Sequence, residues 1–102
     1  MTRDEIIARL KKTAPALRAE GVTRLAIFGS RARGDAREDS DLDVLIDVDP
    51  NAGLQGLRLV GVLADAERTV SVVTGIRTQA AMRAWLEPRF AERIADDLIE
   101  VF

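Results

Sequence analysis

At 102 residues the chain can bury one hydrophobic core, so a single domain over residues 1–102 is expected, with no room for a separate substrate-recognition domain. A composition of 47% hydrophobic and 31% charged residues excludes a disordered chain, and the absence of cysteine and histidine excludes disulfides, thiolate metal sites and an imidazole base. A net charge of −2 from 15 basic and 17 acidic residues leaves no broad basic footprint for long nucleic acid. No apolar run of about 18 residues and no signal-peptide pattern is present, so a cytoplasmic location is expected.

Ile6, Leu10, Ala14 and Leu17 recur at helical spacing in residues 3–20. Pro15 falls inside this stripe, which predicts an interruption, with Thr13 capping a second short helix and Gly21 ending it. Arg24 to Phe28 reads as a buried strand that turns sharply at Gly29-Ser30 into a short helix over 30–34. From Asp41 to Val48 the residues alternate. Leu42, Val44, Ile46 and Val48 share one face, and Asp41, Asp43, Leu45 and Asp47 the other, which predicts a strand with one buried face.

The turn-forming cluster Asp49-Pro50-Asn51-Ala52-Gly53 stops that strand. Residues 54–66 read as a helix with Leu59, Val62, Leu63 and Ala66 inward. Thr69 to Thr74, rich in β-branched residues, reads as a further strand closed by Gly75. From Thr78 the pattern predicts two helical segments divided at Glu87-Pro88, with Met82, Trp85, Leu86, Ile94 and Leu98 in the core, and a short edge strand over 98–102. The sum is an α/β (α+β) fold, a small mixed β-sheet flanked by helices.

Two features carry chemistry. A Gly-Ser corner between a buried strand and a helix exposes backbone N–H groups and lets an anion approach without a side chain in the way, while the serine hydroxyl adds a donor. The same dipeptide also serves as an ordinary turn and cap. Asp41 and Asp43, two apart on a strand, place their side chains on one face roughly 6 to 7 Å apart. Like charges about 5 Å apart repel by roughly 3 kcal/mol at an effective dielectric near 20, so the pair requires either solvent or a cation. Magnesium suits it, since it takes a few carboxylates together with phosphate oxygens and waters. A solvated strand end is the alternative.

The run Gly29-Ser30-Arg31-Ala32-Arg33-Gly34, followed by Ser40-Asp41-Leu42-Asp43, closely resembles the signature of the minimal nucleotidyltransferases of the polymerase-β superfamily: Gly-Ser, a spacer, then Asp-X-Asp. The resemblance extends over nearly the whole chain and implies that family's fold. It also implies that Gly29 and Ser30 hold the triphosphate of ATP and that Asp41 and Asp43 are catalytic and bind two Mg2+ ions. Arg31 and Arg33 are then candidates for neutralising phosphate charge. The family usually carries a third carboxylate on the next strand. With Val70 to Thr74 read as that strand, Ser71 falls at its position, and a hydroxyl supplies neither the charge nor a useful base. Asp47 lies about 13 Å along its strand from Asp43, too far to substitute, and Asp65 and Glu67 read as solvated.

Two functions follow from the resemblance. One is Mg-dependent transfer of AMP from ATP to a hydroxyl, the tyrosine of a partner HEPN-domain toxin, which makes the chain an antitoxin. The other is a catalytically impaired, nucleotide-binding antitoxin that acts by forming a complex.

Overall fold

The computed structural model describes residues 1–102. In chain order the elements are α1 (Arg3–Ala19), β1 (Val22–Phe28), α2 (Gly29–Arg33), β2 (Leu42–Val48), α3 (Leu57–Thr74), β3 (Thr78–Met82), a 3-10 turn (Arg83–Trp85), α4 (Pro88–Ile94) and β4 (Ile99–Glu100). The strands form one mixed sheet in the order β3-β2-β1-β4. β1 is antiparallel to β2 and to β4, while β3 runs parallel to β2. This is the mixed α/β fold that the sequence predicts.

The sheet is covered on both faces. On one, Ile6, Leu10 and Leu17 of α1 and Val62, Ala66 and Val70 of α3 pack with Leu25, Ile27, Leu42, Val44 and Ile46 of the strands. On the other, Ile94 of α4 packs with Ala26, Phe28 and Leu45, joined by Phe90 and Leu86. Leu45 is therefore buried on the face that also carries Asp43 and Asp47, and β2 does not have the single buried face predicted for it. The acidic residues sit toward the ends of that face and α4 covers its middle.

Five further expectations are corrected. α1 is continuous through Pro15. Ile6, Leu10, Ala14 and Leu17 are all buried in one stripe that spans the proline. Lys11, whose carbonyl loses its N–H partner to Pro15, lies on the exposed side where water can replace it. Thr13 caps nothing: its hydroxyl donates to the Arg9 carbonyl at 2.7 Å, back-bonding within the helix.

The segment 69–74 is not a strand but the last third of α3. Val62, Ala66, Val70 and Thr74 recur every four residues and form one buried stripe, and that packing outweighs the β preference of the local residues. Gly75, in the left-handed region with φ 69°, caps the helix by donating its N–H to the Ser71 carbonyl at 2.9 Å.

The third strand instead lies at Thr78–Met82, where a helix was predicted. Thr-Gln-Ala-Ala-Met has little intrinsic β preference and becomes a strand by pairing with β2. Its outer edge is closed by a side chain, since Glu67 of α3 accepts the Ala80 N–H at 2.8 Å. Glu87 then caps α4 through the N–H groups of Arg89 and Phe90, so the division at Glu87-Pro88 stands. Met82 and Ile94 are buried as predicted, whereas Trp85 is 53% exposed in the 3-10 turn and is no core residue. The edge strand predicted near the C-terminus is present as β4.

Candidate nucleotide site

The site forms where β1 and β2 end side by side. β1 is a run of buried residues, Leu25 to Phe28, held at the centre of the sheet between β2 and β4. It terminates at Gly29, whose φ of 73° turns the chain abruptly into α2. That helix is only five residues long, so its dipole is small, but the N–H groups of its first turn have no partner within the helix. Gly34, again left-handed, ends it.

The return from α2 to β2 is organised by Arg31. Its buried guanidinium donates to the Ser40 carbonyl from Nε at 3.2 Å and from Nη2 at 2.8 Å, and to the Glu38 carbonyl at 3.2 Å. Ser40 Oγ in turn accepts the Arg37 N–H at 2.9 Å. These bonds fix the chain at the residue before Asp41. The predicted phosphate role of Arg31 is therefore corrected: its charge is committed to backbone carbonyls, and it does not line the pocket described next.

Register completes the arrangement. Phe28 pairs with Asp43, so the glycine-serine corner meets the Asp43 side chain directly. A cavity of about 620 Å³ opens there, with Gly29, Ser30, Arg33, Asp43, Gln79 and Asp97 as its polar wall. Phe28, Phe90, Ile94 and Ala81 form the apolar wall, where Phe28 and Phe90 meet edge to face at 6.0 Å. Asp41 stands just beside it at the mouth of β2 and is bound by Gln79, whose amide Nε2 donates to Asp41 Oδ2 at 2.8 Å.

The charges are strained in one sense only. Asp43 titrates above the ordinary carboxylate range, because burial disfavours its charged form and the nearby Asp41 repels it, while Arg33 partly opposes both. Arg33 faces the same cavity, and its pKa is raised by hydrogen bonds to Asp35 at 3.1 Å and Asp97 at 2.9 Å. An ion of charge 2+ beside Asp41 and Asp43 would relieve the repulsion, and two hard carboxylate donors fit magnesium. No group of three or more His, Cys, Asp or Glu side chains gathers anywhere, so the protein offers no complete cage and the remaining ligands would be phosphate oxygens and water.

Ser71 has no place in this site. It lies in α3, and the strand beside β2 is β3, where the residue paired with Asp43 is Gln79. Asp47 is on the acidic face, as predicted, but is gripped by Arg83 at 2.9 and 3.1 Å. Asp65 pairs with Arg68 on the surface of α3, at 3.6 Å, and Glu67, read as solvated, closes the sheet edge instead. Gln79, Asp97 and Phe90 were not foreseen. The alternation of Thr78, Ala80 and Met82 was the only sequence signal for a strand that would carry Gln79 to the site.

The fold agrees with the comparisons. A family model described as "Nucleotidyltransferase domain" matches residues 7–100. The chain belongs to the nucleotidyltransferase domain family. This nucleotidyltransferase domain is 29% identical over 102 residues to the protein adenylyltransferase MntA of Thermococcus cleftensis, an alignment that covers 99% of this chain and 97% of the relative. A solved minimal nucleotidyltransferase shares 29% identity and superposes with a TM-score of 0.72, covering 97% of this chain and 95% of the other. A toxin–antitoxin crystallised with AMP-PNP superposes with a TM-score of 0.67 over 90% of this chain and 72% of its own, and at 9% identity this shows a shared fold. No helix is long and apolar enough to cross a membrane.

Proposed function

We propose that this nucleotidyltransferase domain binds ATP with magnesium and transfers AMP to a hydroxyl on a partner protein, acting as the antitoxin of a toxin–antitoxin pair. The observation that carries this reading is the contact between the Gly29-Ser30 corner and Asp43 at one end of the sheet. It brings the backbone N–H groups of the corner to a carboxylate of the kind a metal-bound triphosphate needs. The resemblance to an MntA protein adenylyltransferase over nearly the full length of both chains supports a protein acceptor. We take that acceptor to be a tyrosine of a HEPN-domain toxin, and the setting to be the cytoplasm, where ATP is supplied.

In this reaction the acceptor oxygen bonds to the α-phosphorus of ATP, the bond from that phosphorus to the β-phosphate bridging oxygen breaks, and pyrophosphate leaves. The hydroxyl proton passes to water. Gly29, Ser30 and Arg33 bind the phosphates, Asp41 and Asp43 hold the magnesium, and the Phe28–Phe90 wall excludes water from one side of the nucleotide. Magnesium, when bound, supplies charge neutralisation on the phosphates. Incubation with α-labelled ATP, magnesium and a HEPN-domain toxin from the same cell tests the proposal. Label on the toxin, lost with Asp41→Asn, is expected; an unlabelled toxin contradicts it.

A second reading, in which the domain retains nucleotide and neutralises its toxin by complex formation, rests on Gln79. Ser71, in α3, does not support it, but Gln79 leaves the strand beside Asp43 without a carboxylate. Cell protection that persists after Asp41→Asn and Asp43→Asn favours this reading; loss of protection favours transfer.

A further inference from the structure

A neutral side chain sits among the charges of the pocket. β2 and β3 run parallel with Asp43 paired to Gln79, so the two side chains stand on one face of the sheet, and both line the cavity. The Gln79 amide donates to Asp41 Oδ2, which takes one of that oxygen's two lone pairs and fixes the orientation of the carboxylate. Gln79 adds no negative charge of its own.

The other acids of this region are engaged. Asp97 holds Arg33 at 2.9 Å, Asp47 holds Arg83 at 2.9 Å, and Glu67 holds the Ala80 N–H at 2.8 Å. Asp41 and Asp43 are therefore the acids at the corner that no cationic side chain or backbone N–H engages. Beside the phosphate oxygens, a pair of ions about 3.5 to 4 Å apart would have just these two carboxylates to share, with no third acid gathered at the site.

Resting on the nucleotide reading above, we propose that Gln79 is a positioning residue that makes this a one-cation site. It orients Asp41 beside Asp43 through a neutral hydrogen bond, so one divalent ion accompanies each bound nucleoside triphosphate. This replaces the two ions implied by the family resemblance. The consequence is a pocket that holds its nucleotide and turns it over slowly.

Manganese(II) tests this, because electron paramagnetic resonance counts bound ions without requiring turnover. With a saturating non-hydrolysable ATP analogue, the wild-type protein is expected to bind one Mn2+ per chain. Gln79→Glu, which keeps the shape and adds a charge, is expected to bind two. Gln79→Ala should still bind one, about three- to tenfold more weakly, because Asp41 loses its orienting bond. Two ions in the wild type, or one in Gln79→Glu, overturns the assignment while the nucleotide reading stands. No nucleotide-dependent Mn2+ in either protein overturns both. If Gln79→Glu does not fold, Gln79→Asp takes its place with the same outcomes.

Discussion

The Asp43 carboxylate occupies the space that a side chain at Gly29 would need. A Cβ built on Gly29 falls 2.5 Å from Asp43 Oδ2, and the φ of 73° already disfavours any residue but glycine. Two separate constraints thus select glycine here, one from the turn and one from the neighbouring strand. Gly29→Ala is expected to cost roughly 1 to 2 kcal/mol from the left-handed backbone alone. It should also push Asp43 out of the corner and weaken nucleotide binding at least tenfold. Thermal melting and nucleotide titration check the two effects separately.

Arg31 should behave as a structural residue whose loss is felt at the site. Arg31→Met removes three hydrogen bonds from a charged donor to the carbonyls of Ser40 and Glu38. The expected destabilisation is about 2 to 4 kcal/mol, with faster amide exchange over residues 35–41. Arg31→Lys should recover little of it, because one ammonium cannot reproduce the forked geometry. If Arg31→Met weakened nucleotide binding without lowering stability, a direct phosphate contact would have to replace this account.

Asp43 gives the pH dependence a definite sign. Its folded pKa is raised, so without metal its contribution to stability is fully present below the ordinary carboxylate range and is lost as pH rises through the raised value. Asp43→Asn should therefore melt at a higher temperature than the wild type at pH 7 in the absence of metal, and the gap should close toward pH 3. The gain is expected to stay under about 1 kcal/mol, because water still screens the pair. Magnesium with ATP should reverse the order, since only the wild type gains from binding.

Ser71 provides a negative control. Its side chain is on α3, away from the pocket, so Ser71→Asp should leave nucleotide affinity and metal stoichiometry unchanged. A changed metal stoichiometry in Ser71→Asp would mean that α3 reaches the site.

The corner itself was legible in the sequence, because glycine after a buried run and aspartates two apart are local signals with local causes. The stripe Ile6, Leu10, Ala14 and Leu17 likewise located α1, although Pro15 suggested a break that packing overrides. The third strand was not legible. Val70 and Val72 look like strand residues, yet Val70 is buried as part of a four-residue stripe with Ala66 and Thr74, and Val72 is 75% exposed on the outside of α3. Thr78 to Met82 look helical until β2 pairs with them. Misplacing that strand put Ser71 in the site and left Gln79 out of it, since the partner of Asp43 is fixed by register rather than by local sequence. The role of Arg31 was hidden for a similar reason: its partners are backbone carbonyls that become available only once the loop before Asp41 has closed.

Calorimetric titration of the protein with magnesium and a non-hydrolysable ATP analogue, compared with the Asp41→Asn/Asp43→Asn variant, tests the shared site most directly. The account predicts magnesium-dependent binding to the wild type and at least a tenfold loss in the variant, about 1.4 kcal/mol or more, with the fold intact. Equal affinity in the two proteins, or binding to the wild type that is indifferent to magnesium, would contradict it.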